Sequence, residues 1–103
     1  MPEMHFTVRW PDGAETRCYS PSLVVRDYLE VGRTYPVSDF IARSRTMLGI
    51  ASERVRAKYG YACSAALDQL RVLEELAAGY DAGAQVTVVA FELPAGVPEQ
   101  ARA

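Results

Sequence analysis

Residues 9–18 read RWPDGAETRC, and the way this stretch turns decides which side chains face the core. Upstream, Met4, Phe6, Val8 and Trp10 alternate with His5, Thr7 and Arg9, the period of a half-buried strand. Pro11 suits the first turn position, Asp12 the second, and Gly13 the left-handed position of a G1 bulge. The resulting three-residue loop pairs Trp10 with Ala14. Counting outward, Arg9 faces Glu15, Val8 faces Thr16, Thr7 faces Arg17 and Phe6 faces Cys18. A two-residue turn on Asp12-Gly13 would slip the register by one and point Arg17 inward beside Phe6 and Val8. Burying an unpaired arginine is costly. The first register is therefore preferred, and it places Cys18 in the core and an Arg9–Glu15 pair on the wet face.

The rest of the chain supplies helices and one more strand. Ser20 and Pro21 read as a helix cap and first helical residue, which predicts a short helix from about Pro21 to Glu30. A second helix is expected over Val37–Tyr59, ended by Gly60. Its core stripe is Phe40, Ile41, Met47, Leu48, Ala51, Val55 and Tyr59. A third should run from Ser64 to about Ala78, with Leu67, Leu70, Leu73, Leu76 and Ala77 inward. Residues 85–93, QVTVVAFEL, are rich in β-branched residues and read as a strand. Their near-continuous apolar character points to a central strand covered on both sides, or to an interface. The order β-β-α-α-α-β predicts an α+β domain over residues 1–93, a three-stranded sheet with helices on one face. The Pro- and Gly-containing segment 94–103 reads as a disordered tail.

Composition narrows the function classes. The 103 residues carry a net charge of −2, which disfavours nucleic acid as a main partner. No apolar run approaches the length of a membrane span, and the N-terminus lacks the basic and apolar regions of a signal peptide. A cytoplasmic protein with reduced cysteines is expected. His5, Cys18 and Cys63 lack the short paired spacing of zinc ligands, so no metal and no cofactor is expected. There is no phosphate loop and no nucleophile elbow.

Two surfaces remain as candidates. On the second helix, Arg43 and Arg54 form one stripe and Arg45 and Arg56 another, flanking the core face. Between them, away from the core, lie Ala42, Thr46, Gly49, Glu53 and Ala57. Small residues at this spacing permit another backbone to approach, and arginines at their borders resemble an interface rim. The alternative is a plain solvent face. The second surface is a reactive thiol or ligand site at Cys63, with Arg56, Lys58 and Tyr61. A helix N-terminus and nearby cations depress a thiol's pKa; against this, a cysteine beside Ala62 at a helix entry is readily buried. The third helix is acidic outside, with Asp68, Glu74 and Glu75. Its pairing with the basic second helix contributes well under about 1 kcal/mol per ion pair.

Four stretches carry a family likeness: RWPDG at 9–13, CYSPSLVVRDYL at 18–29, DFIARSRTMLGIASERVRAKYGYACSAALDQL at 39–70, and VTVVAFE at 86–92. Through them the chain resembles a family of small bacterial proteins named for a nitrogen-starvation response, from Met1 to about Glu92. The resemblance implies a setting. Such proteins are encoded in clusters with a nitrilase, a radical S-adenosylmethionine enzyme, an acetyltransferase, a flavin-dependent oxidoreductase and a relative of an aminoimidazole ribonucleotide synthase. Those clusters are linked to use of nitriles or cyanide as nitrogen. The resemblance carries over no catalytic residue. The expectation is a non-enzymatic accessory protein that contacts a cluster enzyme or a second copy of itself. The alternative is a small enzyme or ligand carrier using the Arg56-Lys58-Tyr61-Cys63 segment.

Overall fold

Turn chemistry and register agree in the computed structural model, which describes residues 2–96. The Trp10 N–H donates to the Ala14 carbonyl at 2.8 Å, and the Gly13 N–H donates to the Trp10 carbonyl at 2.9 Å. Gly13 has φ 91°, the left-handed conformation that favours glycine. The Asp12 carboxylate accepts the Ala14 N–H and tightens the loop. Strand β1 (Met4–Arg9) therefore pairs with β2 (Glu15–Ser20) in the three-residue-loop register, with Phe6 opposite Cys18 and Arg9 opposite Glu15. Cys18 is fully buried, and burial pushes its thiol up to about 12.

The expected first helix is much shorter, α1 over Val25–Tyr28. Ser20 and Ser22 explain the difference. The Ser20 hydroxyl accepts the Ser22 N–H and donates to the Ser22 carbonyl; the Ser22 hydroxyl accepts the Val24 N–H. These local bonds satisfy the backbone without a helix.

A strand not anticipated from the sequence, β3 (Thr34–Pro36), precedes α2 (Val37–Tyr59). After α3 (Ser64–Ala77) comes β4 (Gln85–Glu92). Among the described residues the sheet thus has four antiparallel strands in the order β2-β1-β4-β3, not three. β4 occupies an inner place, but helices cover only one face of it. Its continuous apolar run has another cause. A register shift between Thr7 and Val8 opposes Val8 to Val88 and Thr7 to Ala90, leaving Val89 as the extra residue of a bulge. The bulge lets Val86, Val88 and Phe91 share the core face while Glu92 stays on the wet face. Strict alternation would have driven Glu92 inward.

The core lies between this sheet and the helices. Phe6, Val8, Trp10, Phe40, Met47, Leu48, Leu73, Val86 and Val88 are among its buried members. Trp10 stacks on Tyr80 at 5.4 Å and meets Phe40 edge-on at 5.7 Å. On α2 the expected stripe holds for Phe40, Ile41, Met47, Leu48 and Ala51; Val55 is half-buried, and Tyr59 at the last turn is exposed. On α3 the buried set is narrower than expected: Ala66, Leu73 and Ala77, with Leu70 partly covered. Leu67 and Leu76 are exposed, because a three-residue repeat drifts around a 3.6-residue helix. Gly60, with φ 86°, ends α2 as expected. Of the expected tail, residues 97–103 lie outside the described residues.

Candidate functional site

The outward strip of α2 follows from its helical spacing. Ala42, Thr46, Glu53 and Ala57 are exposed and Gly49 is half-exposed, all pointing away from the sheet. Thr46 bonds back to the Ala42 carbonyl at 3.2 Å, so its hydroxyl hugs the helix and its methyl faces out. A methyl group added at Gly49 would meet nothing within 4 Å. Gly49 lies in helical backbone and has no need of a glycine's conformational freedom. Packing within the chain therefore does not call for this residue. Thr46, Gly49, Ile50, Glu53, Arg54 and Ala57 line one shallow, mainly apolar depression.

The two arginine stripes flank the core face as expected, and their guanidinium groups find partners within the chain. Arg43 donates to Asp39 at 3.0 Å and to the Tyr28 carbonyl at 2.7 Å, and it lies 4.8 Å from the Tyr35 ring centre. It thereby closes the last turn of α1. Arg54 donates to the buried Ser22 hydroxyl at 2.8 Å and pins the β2–α1 loop. On the other side Arg45 reaches Glu74 of α3 at 2.7 Å. Arg56 forks onto Glu53 at 2.8 and 2.9 Å, and that hydrogen bonding holds the Glu53 carboxyl below its usual range. Arg43 and Arg54 thus have structural duties that the helical wheel did not reveal, since their partners lie in other elements.

The second candidate surface surrounds Cys63. This residue caps α3 with extended backbone and is partly buried. Its side chain lines a recess of about 270 Å³ with Glu3, Tyr19, Pro21, Val55, Tyr59 and Tyr61. Tyr61 and Cys63 are thus brought together. Lys58 lies over the Tyr59 ring at 5.6 Å and Arg56 is held by Glu53, so neither lines the recess. Sequence reasoning missed Tyr19 and Glu3, which approach only because β2 runs beside the start of α3. Desolvation, then its hydrogen bond to Glu3, pushes the Tyr19 phenol up to about 12. At neutral pH it is a hydrogen-bond donor, with His5 edge-on at 5.6 Å. Among the described residues no three His, Cys, Asp or Glu side chains come together to hold a metal ion. His5 and Cys18 lie on opposite faces of the hairpin. No described helix is long and apolar enough to cross a membrane.

Residues 5–91 match the family model described as nitrogen starvation-induced protein NitG. The chain belongs to that family. The match takes in every strand and helix described above except Met4 of β1 and Glu92 of β4, and it links the fold to a nitrogen-starvation response. Comparison with curated proteins and with solved structures gave no match.

Proposed function

We propose that this member of the family is a non-enzymatic accessory protein in the nitrogen-starvation response, acting through protein contact along the α2 strip. Its partner is an enzyme of the nitrilase and radical S-adenosylmethionine clusters to which the resemblance points. One observation carries the reading. Gly49 sits in the middle of a 23-residue helix, with open space where a side chain would go. Glycine there costs about 1 kcal/mol of helix stability relative to alanine, with no packing gain inside the chain. An approaching surface supplies the missing reason, since a glycine flanked by Ala42, Thr46 and Ala57 lets another backbone come close.

Gly49→Gln tests this. The variant is expected to fold at least as well as the wild type, with a gain of up to about 1 kcal/mol in chemical denaturation. Calorimetric titration against each purified cluster enzyme should show binding of the wild type to one of them. The variant should bind at least about tenfold more weakly, a difference of about 1.4 kcal/mol. Equal affinity of the two proteins, or no binding to any cluster enzyme, rejects the proposal.

The Cys63 recess favours a second reading, a small-ligand carrier, because Tyr19, Tyr61 and Cys63 converge there. Native-state alkylation of Cys63 that leaves partner binding intact would separate the two surfaces.

A further inference from the structure

The geometry points to the free edge of β2 as a self-association surface, on which a second copy of this chain adds its own β2 antiparallel to form one continuous sheet. The hairpin dictates which groups are available. Trp10 and Ala14 form a hydrogen-bonded pair, so every second pair along the ladder does likewise: Val8–Thr16, Phe6–Cys18 and Met4–Ser20. The intervening β2 residues, Glu15, Arg17 and Tyr19, direct their main-chain N–H and C=O groups away from β1. Tyr19 bears this out, because its N–H is taken by the Gln69 side chain of α3 at 2.9 Å. Among the described residues Glu15 and Arg17 have no such cover; both are exposed.

The opposite edge of the sheet is blunted. β3 is three residues long and ends in Pro36, which has no N–H to offer. β2 is six residues long and contains no proline.

Charge selects the occupant and the register. Like charges opposed across a junction keep two edges apart. An antiparallel pairing centred on Thr16 does the reverse: it sets Glu15 against the second copy's Arg17, and Arg17 against the second copy's Glu15. These two positions are the ones with free main-chain groups, so each forms a reciprocal hydrogen-bonded pair. Within one chain Arg9 already holds Glu15 at 2.8 Å, and Arg17 holds Glu92 at 2.8 Å. The junction joins both pairs into a row of alternating sign across the wet face.

An apolar strip lies under the same edge. Gln69, Val72 and Leu76 follow at spacings of three and four, hence on one side of α3. Gln69 shows that this side faces the β2 edge. Val72 and Leu76 are 36% and 38% exposed. α3 runs opposite to β2, from Gln69 at Tyr19 to the segment that stacks Tyr80 on Trp10. Seven helical residues advance about 10 Å, or about three strand residues. Leu76 therefore lies level with Thr16, the twofold centre, where it meets its own counterpart. A twofold contact of this kind uses the same patch on both chains.

The test is a charge-exchange experiment by sedimentation over a range of concentrations. Wild type should move from 11.3 kDa to double that mass as concentration rises. Arg17→Glu and Glu15→Arg should each remain monomeric while keeping native circular dichroism. Mixed in equal amounts they should regain the doubled mass, since glutamates at 15 and 17 then face arginines at 15 and 17. Leu76→Lys, on an exposed helix position, should also be monomeric and serves if a strand variant fails to fold. A wild type that stays monomeric, a dimer indifferent to these changes, or a mixture that does not reassociate overturns the inference. Gly49→Gln should leave the dimer intact, so this outcome is independent of the α2 strip.

Discussion

Phe6→Ala is expected to remove about 3–5 kcal/mol of folding stability. Phe6 is fully buried, opposite Cys18 on one side and Phe91 on the other. It belongs to β1, which has strands on both flanks, so neighbours cannot collapse far into the vacated space. Domains of this size have about 5–15 kcal/mol in total. The variant should therefore melt at least about 12 °C lower. Urea denaturation followed by circular dichroism measures the loss directly. A cost below about 1 kcal/mol would mean that Phe6 is peripheral to the core.

The second large effect is on thiol chemistry. With iodoacetamide in native buffer, Cys63 should react and Cys18 should not. Cys18 is fully buried, so its labelling must wait for unfolding, and protection by a factor of at least about 1,000 is expected. Peptide mass analysis of alkylated protein gives the ratio. In the slipped register Cys18 would point outward, and the two thiols would label at comparable rates. Cys18→Ser should cost about 1–3 kcal/mol, because it puts a hydroxyl at a fully buried apolar position whose acceptor is the Thr16 carbonyl, 3.7 Å from the thiol sulfur. The pH dependence has a defined sign. Burial raises the Cys18 thiol from 9.0 to about 12, so the folded state keeps its proton where the unfolded state loses it. This contribution is fully present below pH 9 and is lost as pH climbs toward 12, at up to about 1.4 kcal/mol per unit. Tyr19, also raised to about 12, adds to the same alkaline loss. Cys18→Ala should flatten the profile in that window, as urea titrations at successive pH values would show.

The hairpin was legible because its turn residues admit few geometries and a misplaced arginine eliminates the main competitor. Helix α2 was legible from its period and from Gly60. Other features depend on contacts that local pattern does not encode. β3 contains only Thr34, Tyr35 and Pro36, and a Tyr-Pro pair reads equally well as a helix start. The Val89 bulge reverses the phase of a strand midway, which an apolar run conceals. The serine hydroxyls that shorten α1 compete with helix formation, and Ser20 alone looked like a cap. At the candidate surfaces, the α2 strip and its arginine borders came from the helical wheel. The partners of Arg43 and Arg54, and the approach of Tyr19 to Cys63, came only with the tertiary structure.

The strand order has a consequence for biosynthesis. β1 is made before every other described element, yet one of its two neighbours is β4, the last of those elements. While the ribosome works through α2 and α3, the nascent hairpin holds Met4, Phe6, Val8 and Trp10 without their eventual cover. One flank of β1 stays unpaired for the same period. Such a chain is vulnerable to aggregation during translation, and its final collapse waits on long-range closure. Truncated products that stop before Gln85 should therefore accumulate as insoluble or degraded fragments.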